Sequence, residues 1–149
     1  MKLYKLLLIP IFLFVSINLM AQNNPSCKAF AKSGIAILDS TSYVHDGRYN
    51  AVKLSEGDKI DVYKPFYRGR KYKIIVIAEE NLPGIVLKIN NIRREQLFLS
   101  KQIKNTQTWI FTPERNENLI ISVEVNKKGE TNNQANRGCV AVLIGYDVG

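Results

Sequence analysis

The chain has 149 residues, of which 46% are hydrophobic and 23% charged. This length favours a single domain, and the absence of internal repeats and low-complexity tracts excludes repeat proteins and compositionally biased chains. With 21 Lys and Arg against 13 Asp and Glu, the formal net charge is +8. Such a basic surface can attract anionic polymers, lipopolysaccharide or acidic glycans at long range, or serve solubility alone.

The first segment has the pattern of a secretory signal peptide. Lys2 and Lys5 form a positive region, residues 6–15 form an apolar region, and a small residue stands at position 21. We expect residues 1–21 to be removed, which leaves residues 22–149 as one domain of an exported, periplasmic or secreted protein. Loss of the two lysines lowers the formal charge from +8 to +6. An uncleaved anchor helix stays open, because a membrane span needs ~20 apolar residues. No later segment is long and apolar enough to cross a membrane.

Cys27 and Cys139 are the only cysteines, 112 positions apart. An even number of cysteines in an exported protein indicates a disulfide. A lipid on Cys27 is the alternative, although the preceding Asn-Pro-Ser is not the apolar run that lipidation requires. Two cysteines without histidine spacing do not make a zinc site.

The N-terminal part of the mature chain predicts little regular structure. Residues 26–32 could form a short helical turn, with Ser26 as its N-cap and Gly34 as its C-terminal stop. A short apolar run follows at residues 35–38, and residues 39–47 are predicted to form a loop.

The remainder predicts an all-β domain, because short apolar or alternating runs are separated by Gly, Pro and Asn turns. The expected strands and short apolar segments are residues 49–54, 59–63, 70–79, 85–89, 96–99, 109–111, 119–125 and 139–144. Residues 70–79 and 139–144 are apolar on both faces, which favours mid-sheet positions with one face partly covered by the N-terminal turn. No helix is long enough for a βαβ crossover. We therefore expect a single antiparallel β-sandwich, jelly-roll-like.

Six segments, spread over most of the mature chain, together form a family-like pattern: residues 27–30, 46–50, 54–58, 66–72, 78–82 and 138–145. The pattern resembles an uncharacterised family of small exported β-sandwich proteins common in Bacteroidota, which implies no known activity and no catalytic residues. Members often carry a further cysteine shortly after the first segment, where this chain has Ser33 and Gly34. The resemblance therefore leaves the pairing of Cys27 open. Gly69 before Tyr72, and Thr112-Pro113 before residues 119–125, resemble pre-peptidase-type β-sandwich domains.

His45 is the only histidine, and beside Asp46 it could act as a base with its orienting carboxylate. Adjacent turn residues rarely point at one another, and the sequence has no Gly-x-Ser-x-Gly elbow. Turn chemistry explains the pair without catalysis. We predict that the protein is not an enzyme, and a small hydrolase that uses His45 is the less favoured alternative.

The acidic residues do not predict a carboxylate pair or a metal site. Glu79 and Glu80 are neighbours on a strand and face opposite sides, so they cannot flank one glycosidic bond. Asp39, Asp46 and Asp58 lie in loops, but no segment holds a ladder of calcium ligands. We predict neither a cofactor nor a metal ion.

Residues 63–73 interleave aromatic and cationic side chains. Exposed rings beside positive charge can bind sugars or single-stranded nucleic acid, and an exported protein meets glycans or lipid headgroups rather than nucleic acid. Alternate rings could equally fill the core while the cations face water. The predicted ligand-binding residues are Tyr63, Phe66, Tyr67, Arg68, Arg70 and Lys71.

These features predict an exported, non-catalytic protein with a structural or binding role in the cell envelope. Its expected ligand is an anionic glycan or envelope surface. An accessory or assembly protein is the alternative, which would act by protein–protein contact through edge strands and residues 126–138. Asp39-Ser40-Thr41 also fits a short acceptor pattern for O-glycosylation in exported Bacteroidota proteins.

Overall fold

The computed structural model describes residues 25–39, 42–129 and 136–149. The predicted signal peptide, the hydroxyl residues Ser40 and Thr41, and residues 130–135 of the predicted polar loop lie outside the described residues. Within these three ranges, no helix is long and apolar enough to cross a membrane.

The described parts of the chain form one helix and nine strands. They are α1 Pro25–Asp39, β1 Tyr43–His45, β2 Asn50–Ser55, β3 Lys59–Phe66, β4 Tyr72–Ala78, β5 Ile85–Asn91, β6 Gln96–Leu99, β7 Thr106–Phe111, β8 Glu117–Val125 and β9 Arg137–Asp147. The strands make two antiparallel sheets, which confirms the predicted all-β sandwich.

The first sheet has the order β1-β9-β4-β7, with β2 also paired to β9, and the second has the order β3-β8-β5-β6. Strands β1 and β2 pair with different parts of β9: Tyr43 lies opposite Asp147, and Asn50 lies opposite Val142. From β2 to β5 the chain changes sheet at every connection. These crossings bring residues from distant segments to the same end of the sandwich.

The main core lies between the two sheets. Strand β8 contributes the inward residues that its alternating pattern predicts, since Leu119, Ile121, Val123 and Val125 are all fully buried. They pack against Ile74 and other inward residues of the first sheet. Full burial of one such side chain contributes about 1.5–3 kcal/mol to folding.

Strands β4 and β9 are buried on both faces, as their continuous apolar runs predict. Their second face packs against α1 in a smaller core that includes Ala31, Leu38, Ile75, Ile77 and Leu143. The helix is thus the element that covers the first sheet from outside.

Helix α1 is longer than the predicted turn and runs through Gly34 to Asp39. It begins at Pro25, a residue favoured at the first helical position. A Cβ atom on Gly34 would lie 2.7 Å from the Cδ1 atoms of both Ile77 and Leu143. Gly34 therefore allows close contact between helix and sheet, and its prediction as a helix stop is wrong.

Two strand boundaries also differ from the sequence expectation. Residues 43–45 of the predicted loop form β1, where Tyr43 is buried against α1. Strand β3 continues through Pro65 to Phe66. Proline is tolerated there because β3 is an edge strand, so no neighbour needs the missing N–H.

Candidate functional site

A disulfide joins Cys27, near the start of α1, to Cys139 in β9, with 5.3 Å between their Cα atoms. Both cysteines are buried. The Cys139 backbone N–H donates to Glu79 Oε2 at 2.7 Å. The predicted pairing is confirmed, and it attaches the helix to the first sheet near the start of β9.

Phe66 does not belong to the predicted binding surface, because it is buried with 1% exposure. Strand β3 alternates, which turns Phe66 inward with Ile60 and Val62. Its ring makes edge-on contacts with Tyr72 and Phe111, at centroid distances of 4.8 and 5.0 Å. The prediction of Phe66 as a ligand-binding residue is corrected accordingly: it is a core residue.

Tyr63 and Tyr67 are exposed, as a binding role requires. Their exposed fractions are 69% and 56%. Tyr63 lies on the outer face of the second sheet, and Tyr67 directly follows the end of β3. Both rings are therefore available to solvent.

Three cations follow these tyrosines in the turn between β3 and β4. Backbone hydrogen bonds fix the turn: Gly69 N–H donates to Pro113 O at 3.0 Å, and Arg68 N–H donates to Asn116 Oδ1 at 2.8 Å. Gly69 has φ 76°, which side chains rarely adopt. The turn therefore presents Arg68, Arg70 and Lys71 from a constrained backbone, which lowers the ordering cost of binding.

A shallow depression of about 460 Å³ brings the three cations together with Asp147. The Arg70 guanidinium lies 4.8 Å from the Tyr146 ring centroid, within cation–π range. The Gly149 backbone N–H donates to Asp147 and holds the pKa of that carboxyl below its ordinary value, against some desolvation and with help from Ser42 and Lys71. The depression therefore brings three cationic side chains beside one carboxylate side chain.

His45 lies at the end of β1, beside the predicted turn. Its Nε2 lies 3.1 Å from the Arg48 carbonyl oxygen. Asp46 accepts the Arg48 backbone N–H and forms an ion pair with Lys64 of β3. The ion pair between Asp46 and Lys64 joins the two sheets at their edge. Both members of the proposed catalytic pair, His45 and Asp46, thus make structural contacts.

The acidic residues make structural contacts of the same kind. Asp58 Oδ2 accepts the Ser55 backbone N–H at 2.8 Å within its turn. In residues 25–39, 42–129 and 136–149, no group of three or more His, Cys, Asp or Glu side chains could hold a metal ion.

A basic groove beside the disulfide was not predicted from the sequence. It is lined by Lys28 of α1, Tyr49 and Lys53 around β2, and Arg137 of β9. These residues come from three distant segments, which is why composition along the chain does not show them. The only sequence signal was that Lys28 and Arg137 flank the two cysteines expected to pair.

The outer face of the second sheet is open to solvent, because within the described ranges the one helix covers the other sheet. Leu97 and Leu99 of β6 are each 44% exposed at its edge. Ser122 and Asp61, in neighbouring strands of this sheet, are joined by a hydrogen bond of 2.6 Å. This face carries both apolar and polar side chains.

No protein-family model matches the chain. No curated protein sequence matches it either. The chain is similar to the solved pre-peptidase C-terminal domain of a collagenase from Bacillus anthracis, with 11% identity, a TM-score of 0.47, and coverage of 64% of this chain and 87% of that chain. It is also similar to PliG of Aeromonas hydrophila, a periplasmic inhibitor of g-type lysozyme, with 8% identity, a TM-score of 0.45, and coverage of 66% of this chain and 84% of that chain. The Bacteroidota family stays a prediction.

Proposed function

We propose that the chain is an exported, non-catalytic binding protein of the cell envelope that recognises an anionic glycan. The proposed binding site is formed by Tyr63, Tyr67, Arg68, Arg70 and Lys71, which we call the turn surface. The observation that carries the proposal is the exposure of both tyrosine rings beside a cationic turn whose backbone is held by hydrogen bonds.

The disulfide supports the compartment. Disulfides persist in oxidising environments such as the periplasm and the extracellular space, and are rare in the cytosol. The Cys27–Cys139 bridge is buried and closes most of the domain. An exported location also accounts for the predicted leader at residues 1–21.

The chemistry of the turn surface favours an acidic saccharide. A tyrosine ring offers a flat apolar face and a polar hydroxyl, which suits a ligand that is part apolar and part wet. Arginine binds carboxylate, sulfate and phosphate groups through two parallel N–H bonds. Tyr67 followed by Arg68 and Arg70 presents both features within four residues.

The affinity of purified mature protein for acidic and neutral polysaccharides tests this proposal. We expect binding to heparin or polygalacturonate that weakens with added salt, and none to dextran. Tyr67→Ala and Arg68→Gln should each weaken binding by about fivefold, which corresponds to ~1 kcal/mol. Lys101→Gln is the matched control, since Lys101 is an exposed cation of a different loop. Equal affinity of the turn variants and wild type would reject the turn surface.

A second candidate function is contact with a protein partner of the envelope. The open outer face of the second sheet favours it, because Leu97 and Leu99 are exposed together at the edge of the sheet. Leu99→Asp would abolish binding of such a partner and leave heparin binding unchanged. If heparin binding is lost in Arg68→Gln and retained in Leu99→Asp, the turn surface is the binding site.

A further inference from the structure

We infer that the basic groove beside the disulfide is a second binding site, which takes a sugar bearing a phosphate or sulfate group. The groove has a volume of about 550 Å³ and lies between the start of α1 and the edge strand β2. It is distinct from the turn surface, because the two lie near opposite ends of β9. The ten residue steps from Arg137 to Asp147 span about 33 Å at ~3.3 Å per residue.

The charge of the groove points to an oxyanion. Lys28, Lys53 and Arg137 line it, and no acidic side chain of the described ranges does. Four cations elsewhere in the described ranges form ion pairs with carboxylates: Lys59 with Asp61, Lys64 with Asp46, Arg93 with Glu95 and Arg115 with Glu117. Among the described residues, the three groove cations form no ion pair with a carboxylate. Three uncompensated donors that converge on one cavity fit a phosphate or sulfate ester.

The strand register places these cations close together. Lys53 lies directly opposite Cys139 in the β2–β9 pair. Arg137 is two residues before Cys139 and therefore projects from the same face of the sheet. The disulfide brings Cys27, and with it Lys28, to the same position. One covalent bond and one strand pair thus fix the backbone positions from which the three cations project.

The size of the groove and its aromatic wall favour a sugar over a free ion. Small-molecule sites commonly have volumes of about 300–1,000 Å³, and this groove falls within that range. Tyr49 is half-buried, with Lys28 Nζ 5.5 Å from its ring centroid. The ring supplies a flat wall for the body of a ligand, and the cations hold its charged end.

An NMR titration of the isotope-labelled mature protein tests the inference. It measures the changes in backbone amide chemical shifts as each probe is added. The probes are glucose 6-phosphate, glucose 6-sulfate, inorganic phosphate and glucose. We expect the two charged sugars to shift the amides of Ala51, Lys53 and Cys139 and to bind more tightly than inorganic phosphate, while glucose does not bind. The relative affinity of the two esters identifies which oxyanion the site prefers.

Charge-removing variants assign the shifts to the groove. Lys53→Gln and Arg137→Gln are surface changes, and each should weaken binding of the charged sugar by about fivefold to tenfold. Lys101→Gln should leave it unchanged. The inference is overturned if the groove amides do not shift, if the groove variants bind like wild type, or if inorganic phosphate binds as tightly as its sugar ester. The turn variants are measured separately by their binding to heparin. A negative result for the groove therefore leaves the proposal for the turn surface intact.

Discussion

Adjacent carboxylates at Glu79 and Glu80 have different roles although they share a residue type and a neighbourhood. Glu80 is exposed, whereas Glu79 is half-buried and accepts the Cys139 backbone N–H at 2.7 Å. The sequence predicts that they are neighbours on a strand, but β4 ends at Ala78 and neither glutamate lies on a strand. The hydrogen bond could not be predicted, because it depends on β9, which lies some sixty residues later in the chain.

Glu79→Ala should therefore destabilise the fold much more than Glu80→Ala. The first change leaves a part-buried amide without its acceptor, which costs about 1–3 kcal/mol. The second removes an exposed side chain and should stay within ~0.5 kcal/mol of wild type. Urea unfolding of the two variants measures the difference. Equal midpoints would show that the Glu79 contact does not contribute to stability.

Phe66 illustrates where residue-scale prediction fails. The sequence predicts a strand over residues 59–63. Extended by three residues, the alternation that turns Ile60 and Val62 inward also places Phe66 inward. The edge position of β3, which permits the proline, is a property of the sheet and cannot be seen in the local sequence.

At the scale of elements, α1 and the first sheet depend on each other. Strands β4 and β9 were predicted to be doubly buried because their runs are apolar without a polar break. The helix that covers them is longer than the sequence predicts, because a glycine such as Gly34 usually marks a helix end. The apolar residues at 35–38 belong to the same helix and contribute Ile35 and Leu38 to the smaller core.

Gly34→Leu should disrupt this helix–sheet contact. A side chain at this position meets Ile77 and Leu143 at once, and overpacking of this kind costs about 1–3 kcal/mol. Ser33→Leu is the matched control, because Ser33 is exposed on the same helix. Thermal unfolding should show a lower midpoint for Gly34→Leu alone. A midpoint unchanged from wild type would mean that the helix moves away from the sheet without loss of stability.

The basic groove marks the limit of prediction at this scale. Strand positions follow from local apolar patterns, but strand neighbours do not. Lys53 and Arg137 share a face only because β2 pairs with β9 in a particular register. The turn surface was easier to predict, since its cations and tyrosines lie within one continuous stretch of sequence.

The whole molecule is tied by a single covalent bridge between its first helix and its last strand. The cysteines are 112 positions apart, so the bridge restricts most of the unfolded chain. Disulfides typically stabilise a folded protein by about 2–4 kcal/mol. The Cys27→Ser, Cys139→Ser double variant should lose this amount in urea unfolding. A smaller difference would place the stability of the domain in its two cores.

Export makes a further prediction for the whole molecule. Protein purified from its native envelope should have a mass that begins at Gln22, and two alkylations should appear only after reduction. Intact-mass spectrometry measures both. Two free thiols, or a lipid mass on Cys27, would contradict an oxidised and soluble mature protein.

The central claim is that the exposed turn between the two sheets binds an anionic glycan. Amide chemical-shift mapping of the mature protein with an acidic oligosaccharide, such as a heparin hexasaccharide, tests it most directly. We expect the amide shifts to be concentrated at Tyr63 and residues 67–71, and at the neighbouring Tyr146 and Asp147. These shifts should disappear at high salt. Saturating binding without shifts at these residues, or no binding at low salt, would contradict it.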